Sequence, residues 1–372
     1  MTQIGESVNV SITKDDPDKE LSASVLEVEF LQPFKACLNQ SAITPPHWPA
    51  TVDGQGLSAK AAVFAFNKAP HKAKVKVKVT SKNYSGNGKL IGVLKGSVVF
   101  EGSIPLSSGE HSVEVKSTSA PAYLSWVKGP ISWGIEAADR SLSIGRTPVE
   151  LFFVFADPAS QAFFSPKGVW IEALRFLFSK GRFESLTSTS NAVAEVTRAC
   201  FTLPNHKYDV ARGAAHFGGA TTRFKLKAYM DPSSGEVNCY DQAYAVIVFS
   251  GALGIFVDGL FLQPFGFIKP VNLVGWGRCN NPFPRNTPIK DYLVVDPQST
   301  NRSAFGNHMF CEFTAKIHDA CAGPVVGTVD RKGYVAATID DVMPAGYSAA
   351  DRGTAAGIIT IAAMGRGVAS VE

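Results

Sequence analysis

The sequence predicts an α+β protein in two parts. An antiparallel β-sandwich is expected over residues 1–157, and a mixed domain in which helices precede strands over residues 166–372. Three observations lead there. Up to Asp157, short runs rich in Val, Phe and Leu alternate with turns of Gly, Pro, Ser and Asn, as in an all-β sandwich. After Pro166 the apolar spacing becomes helical, with Trp170, Leu174 and Phe178 each one turn apart. From Val271 onward the pattern returns to strands and loops.

In chain order, strands are expected over residues 7–13, 24–34, 61–66, 73–79, 96–100, 111–115, 131–135 and 149–155. The run from His71 to Val79 alternates Lys with Ala or Val, so its lysines share one face. That face reads as the solvated side of a sheet or a protected edge, with a docking stripe as the alternative. A helix is expected over 169–178, stopped by Gly181. A second should open on Thr187-Ser188-Thr189-Ser190 and run to about Phe201. A third is the apolar run from Ala243 to Leu253, closed by Gly254.

Composition excludes several function classes. With 372 residues, 45% of them hydrophobic, the chain can bury cores without staples. Its 36 basic and 32 acidic residues leave a formal charge of only +4, so neither nucleic acid nor an anionic membrane is expected as partner. No apolar run is long enough to span a bilayer, and Met1-Thr-Gln-Ile-Gly-Glu-Ser lacks the basic start of a secretion signal. The chain is therefore expected to be cytoplasmic as synthesised. Cys37, Cys200, Cys239, Cys279, Cys311 and Cys321 show no disulfide framework, which suits a reducing compartment.

One of these cysteines stands where a helix should begin. Asp231-Pro-Ser-Ser-Gly235 makes a turn, and Cys239 opens the apolar segment that ends at Gly254. The unpaired amides of a first helical turn favour thiolate over thiol, and the thiolate is the form that attacks carbonyl carbon. A base and an orienting group are then needed. Residues 306–313 read as a strand that puts His308, Phe310 and Glu312 on one face, and the next segment carries Asp319 within reach of the imidazole.

These residues resemble the catalytic core of the transglutaminase-like superfamily. Cys239, Ala243 and Leu253-Gly254-Ile255 match that family's core helix. His308, Phe310 and Glu312 match its histidine strand, with Phe where Trp is more usual, and Ile317-His318-Asp319-Ala320 matches the strand bearing Asp. The family commonly has Gly two residues before the cysteine, where this chain has Val237 and its nearest glycine is Gly235. The matched segment runs from about 231 to 325. The resemblance implies a papain-like Cys239-His308-Asp319 triad on a helix packed against an antiparallel sheet, with no metal and no cofactor.

The chemistry so implied is amide or peptide hydrolysis through a thioester, with a protein or peptide substrate, peptidoglycan peptides included. Transglutamination or glutamine deamidation is the alternative outcome of the same acyl-enzyme. A binding protein with an inactive fold of this type is the non-enzymatic alternative. The amide of Cys239 is expected as one oxyanion donor, and Asn238, Gln242 and Trp276 are further candidates for substrate or oxyanion contact. Trp276 belongs to the loop 275–284, which reads equally as a cleft wall or as an ordered surface loop. Zinc held by His308, Cys311, His318 and Cys321 is the competing reading, and strand parity opposes it because His308 and Cys311 point to opposite faces. The first domain reads as a binding or scaffolding module. A signal-less hydrolase joined to such a module also resembles bacterial effectors and toxins.

Overall fold

The computed structural model describes residues 19–43, 47–49, 60–202, 205–218, 221–231, 233, 235–281, 296–299 and 302–372. The strand expected at 7–13 lies outside them. The chain divides into two compact units. One comprises 1–33, 44–121 and 126–152, and the other comprises 34–43, 122–125 and 153–372.

Alternation builds the first unit. Along Lys72–Lys82, Ala73, Val75, Val77 and Val79 are buried while the intervening lysines face solvent. Lys72 pairs with Glu114 at 2.8 Å and Lys76 with Glu110 at 2.9 Å across to the Gly109–Ser117 strand, so acidic neighbours neutralise the lysine stripe. Nine strands share one hydrogen-bonded order: His47–Pro49, Glu20–Leu31, Lys72–Lys82, Gly109–Ser117, Ser97–Pro105, Asn87–Leu94, Ser125–Glu136, Ser141–Val154 and Lys60–Ala65. The strands expected over the described part of this region are joined in a single hydrogen-bonded order. The sheet curls, so Phe64 near one end of the order lies 5.9 Å from Phe30 near the other. Phe30 also meets Trp48 at 5.2 Å and Phe100 at 5.7 Å, forming one aromatic core. Periodicity shows which face is buried, and closure across the core depends on strand twist.

The second unit mixes helix and strand. Its helices are α1 (Ile171–Lys180), α2 (Thr189–Thr202), α3 (Leu226–Tyr229), α4 (Cys239–Ala252) and α5 (Arg331–Thr338). Helix α1 stops at Gly181, and α4 is followed by Gly254 at φ 76°. A Cβ at position 254 would sit 2.1 Å from the carbonyl oxygen of Ala156, so both conformation and space require glycine there. Every residue of α4 except Tyr240 is buried, as befits a helix that is apolar all round.

A five-stranded antiparallel sheet accompanies these helices, in the order Val325–Val326, Lys316–Asp319, His308–Phe313, Asp258–Leu262 and Ile359–Thr360. Helix α5 lies in a region where only strands and loops were expected. Gly333, Val335 and Thr338 give it weak helical propensity. It is held instead by the Asp330 cap, by burial of Tyr334, and by Arg331, which donates to both Glu312 oxygens at 2.8 and 2.7 Å. Strand residues outnumber helical ones, 40% to 20%, in a mixed α and β protein. Among the described residues no helix is long and apolar enough to cross a membrane.

Candidate active site

The start of α4 is held from several directions. Asn238 is its N-cap, and its Oδ1 accepts from the amides of Tyr240 at 2.9 Å and Asp241 at 3.1 Å. Its Nδ2 donates to the carbonyl of Gly213 at 3.0 Å. Asp241 completes a capping box by accepting from Asn238 N at 3.2 Å. The same carboxylate accepts the amides of His216, Phe217 and Gly218 at 2.8, 2.9 and 2.9 Å. This leaves Asn238 a structural cap whose polar atoms are engaged, which corrects its expected place at a substrate.

Just upstream, Glu236–Val237 pairs in parallel with Lys207–Tyr208, Val237 lying opposite Tyr208. Val237 is fully buried in this ladder. The chain enters α4 from a short strand, which explains how Val stands where the resembled family has glycine. Cys239 is the first residue of α4 and is 3% exposed. The cap consumes the amides of Tyr240 and Asp241.

His308 opens its strand and is fully buried, ringed by Phe265 at 4.7 Å, Phe305 at 5.3 Å and Phe310 at 5.7 Å between ring centroids. Its Nε2 lies 2.8 Å from Asp319 Oδ2. Cys239 stands near enough to raise the proton affinity of the same imidazole. The other ring nitrogen, Nδ1, is buried and has no hydrogen-bond partner among the described residues. Burial opposes protonation of His308, but the charge and hydrogen bond of Asp319, aided by Cys239, outweigh it and push the imidazole up to about 10. Asp319 thus engages one nitrogen of His308 and leaves the other unbonded.

Asp319 is held on all sides. Its Oδ1 accepts the amides of Cys321 at 2.7 Å and Ala322 at 3.1 Å, and its Oδ2 accepts Tyr334 Oη–H at 2.6 Å besides the imidazole. Burial alone would raise its pKa. The imidazolium, the tyrosine and the Cys321 amide reverse this and hold the carboxyl below its usual range. Tyr334 also stacks near Phe310 at 4.6 Å. It is a neighbour of the candidate site that sequence reasoning missed, because α5 carries no legible helical signal.

Strand parity is obeyed around this site. Phe310 meets Tyr334 and Glu312 pairs with Arg331, so the face bearing His308, Phe310 and Glu312 addresses α5. Cys311 turns the other way and its thiol donates to the carbonyl of Ala243 in α4 at 3.4 Å. His318 is committed elsewhere too. Burial, with Arg198 behind it, pushes His318 down to about 4. Because the Thr197 hydroxyl already donates to Val193 O, His318 Nδ1–H donates to Thr197 Oγ1 at 3.1 Å. The four residues of the zinc reading do not converge on one point. Among the described residues a single group has ligand atoms close enough for a metal, namely Asp209, His216 and Glu236.

Two further expectations need correction. Gln242 accepts from Tyr229 Oη at 2.6 Å and donates to the carbonyls of Cys200 at 3.0 Å and Ala320 at 2.7 Å, so its amide braces the fold and is not free to meet an oxyanion. Trp276, at the turn between Val271–Leu273 and Gly277–Cys279, donates Nε1–H to the carbonyl of Tyr208 at 2.9 Å beneath the Lys207 ammonium. It pins the strand next to Val237 and does not itself meet the triad. The rest of its loop, from 282 onward, lies outside the described residues. Tyr208, also missed, packs edge-on to Phe305 at 5.6 Å, and burial followed by the charge of Cys239 pushes its phenol well above the usual range. A cavity of about 160 Å³ beside Phe163, Ile247, Phe256 and Ile361 is walled without any triad residue.

The chain matches no protein-family model and no curated protein.

Proposed function

We propose that the chain is a cysteine-dependent amide hydrolase of transglutaminase-like type, with Cys239 as nucleophile, His308 as acid and base, and Asp319 as the residue that orients the imidazole. One observation carries the reading: His308 is engaged at Nε2 by a four-bonded buried carboxylate, while its buried Nδ1 is left without a hydrogen-bond partner and Cys239 stands near enough to raise the proton affinity of the ring. A buried ion pair of this kind rarely adds net stability over an apolar replacement, so packing alone does not account for it. A proton relay requires it.

By this mechanism His308, holding the thiol proton on Nδ1 as the imidazolium, is paired with the Cys239 thiolate, and Sγ attacks the carboxamide carbon. The oxyanion receives the Cys239 amide. His308 then protonates the leaving amine, and a thioester remains. Water, deprotonated by His308, attacks the thioester and frees the acid and the thiol. Asp319 holds the Nε2–H tautomer throughout and stabilises the imidazolium. The apolar ring set about His308 is also what amine transfer needs, because transfer competes with hydrolysis wherever water enters. Transglutamination is therefore the second reading. In either case the nine-stranded unit is proposed as a binding module for a partner or substrate protein.

The test combines labelling with product analysis. Limited iodoacetamide near neutral pH should modify Cys239 ahead of the other five thiols. Peptides and peptidoglycan fragments, incubated with and without a primary amine, should yield cleaved, deamidated or amine-bearing products by mass. Equal labelling of all six thiols, together with identical products from Cys239→Ala, would sink the proposal in favour of a non-enzymatic protein.

A further inference from the structure

Beside the capped start of α4, and separate from the triad, three ligand-bearing side chains turn towards one another. Asp209 follows the Lys207–Tyr208 strand, Glu236 belongs to the strand paired with it, and His216 lies on the loop that crosses the helix start. His216 Nε2 stands 3.1 Å from Asp209 Oδ2 and 3.7 Å from Glu236 Oε2, and all three atoms fall within 4.8 Å of one another. Those separations bracket the edge of a tetrahedron with metal–ligand bonds near 2.0–2.1 Å, which is roughly 3.3 Å.

We propose that Asp209, His216 and Glu236 form a binding site for a single divalent transition cation, zinc in the first instance, with water as the fourth ligand. One imidazole with two carboxylates is a borderline donor set of the kind zinc accepts. The first ligand is preorganised. The Asp209 side chain is fully buried, and its carboxylate is aimed by the amides of Ala211 at 3.1 Å, Arg212 at 3.0 Å and Ala214 at 3.3 Å. The other two are reachable from solvent, with His216 29% and Glu236 52% exposed, so an ion has an entry path. The competing charge is Arg212, whose Nε lies 3.7 Å from Asp209 Oδ2, beyond a hydrogen bond. Its side chain is 70% exposed and free to swing outward.

Such an ion acts on the helix that carries Cys239. The amide of Asp209 donates to the carbonyl of Val237 at 2.9 Å, and the amide of His216 donates to Asp241 Oδ2. Between those residues, Gly213 accepts from the Asn238 cap. Binding would tie the paired strands and the crossing loop together and brace the α4 cap, independently of whether Cys239 performs catalysis.

The experiment uses the full chain carrying Cys239→Ala, stripped with a chelator, so that no thiolate at the helix start can capture the ion. Calorimetric titration with zinc should show one ion per chain, and Tm should rise with zinc concentration. Cobalt should give ligand-field bands in the visible without the sulfur-to-metal charge transfer of a cysteine site. Glu236→Gln and His216→Ala, added separately, should each weaken zinc binding about 100-fold or more, at least the upper cost of losing an outer-sphere partner. Glu236 is half-exposed, so its variant keeps the fold, which circular dichroism checks. Absence of saturable binding, a charge-transfer band, or unchanged affinity in both variants would each overturn the proposal.

Discussion

The two units of the molecule handle charge in opposite ways. In the nine-stranded unit, most charged side chains stay in water and pair across strands, as Lys72 does with Glu114, Lys76 with Glu110 and Lys89 with Glu101, over an aromatic core. Glu150 is an exception, buried where Trp126 Nε1–H donates to it at 3.1 Å. In the second unit, carboxylates go inside. Asp241, Asp319 and Asp209 are buried, and Arg302 is buried against Asp340 at 2.8 Å while also donating to the carbonyls of Ile268, Asn280, Pro297 and Val342. Exposed pairs are screened and worth little, whereas a buried charge must have every hydrogen-bond position filled. Charge in the first unit therefore serves solubility and pairing. In the second it sets position.

That contrast can be broken first at the thiol. Cys239→Ala should lower amidase turnover by about 10⁴-fold or more with little change in unfolding midpoint, because it removes the nucleophile and no buried charge. Steady-state rates and urea melts on one preparation would separate the two effects.

Asp319→Asn comes next and should cost about 10³- to 10⁴-fold in kcat/KM, by releasing the tautomer that Nε2 requires. It also tests linkage. The raised pKa of His308 contributes stability that is fully present below its unfolded value near 6.5 and is lost as pH rises through about 10. The depressed pKa of Asp319 contributes above its unfolded value near 3.9 and is lost as pH falls through the lower folded value. The pair is thus most stabilising from about pH 4 to 6.5. The urea-midpoint gap between wild type and Asp319→Asn should shrink steadily from neutral pH towards pH 10. A gap independent of pH would show that the imidazole is not held charged.

Asp241→Ala strips the acceptor from four amides, those of Asn238, His216, Phe217 and Gly218. It should destabilise by about 3 kcal/mol or more, read by urea denaturation, since buried donors are left unpaired. Tyr334→Phe is smaller. Loss of one hydrogen bond to a carboxylate should cost roughly 1.5–3 kcal/mol and about tenfold in kcat/KM, and the acid limb of the rate profile should move to higher pH as Asp319 loses a donor. The smallest effect belongs to the other unit. Lys76→Ala or Glu110→Ala should leave Tm unchanged within measurement, because that pair is open to solvent.

The candidate site was partly legible in the sequence. Cys239 showed because a turn followed by an apolar run marks a helix start, and His308 with Asp319 showed because strand alternation is local. Asn238, Gln242 and Trp276 were misjudged for the opposite reason. A residue type states which bonds are available and is silent on which neighbour takes them, so a cap, a core brace and a strand pin all read as site polar groups. Tyr334 and Tyr208 were hidden because each owes its place to a partner far along the chain.

The same division holds for the fold as a whole. The helices ending at Gly181 and Gly254, and the lysine-valine alternation of Lys72–Lys82, follow from backbone conformation and side-chain periodicity, which act over a few residues. The sequence by itself determined those elements and pointed to the chemistry proposed for Cys239, His308 and Asp319. Only the tertiary structure decided that nine strands share one curled order, that a poor helix former becomes α5, and that Asp319 receives Tyr334. Each of these depends on burial and hydrogen bonding between distant segments, whose free energy exists only once the chain has closed on itself.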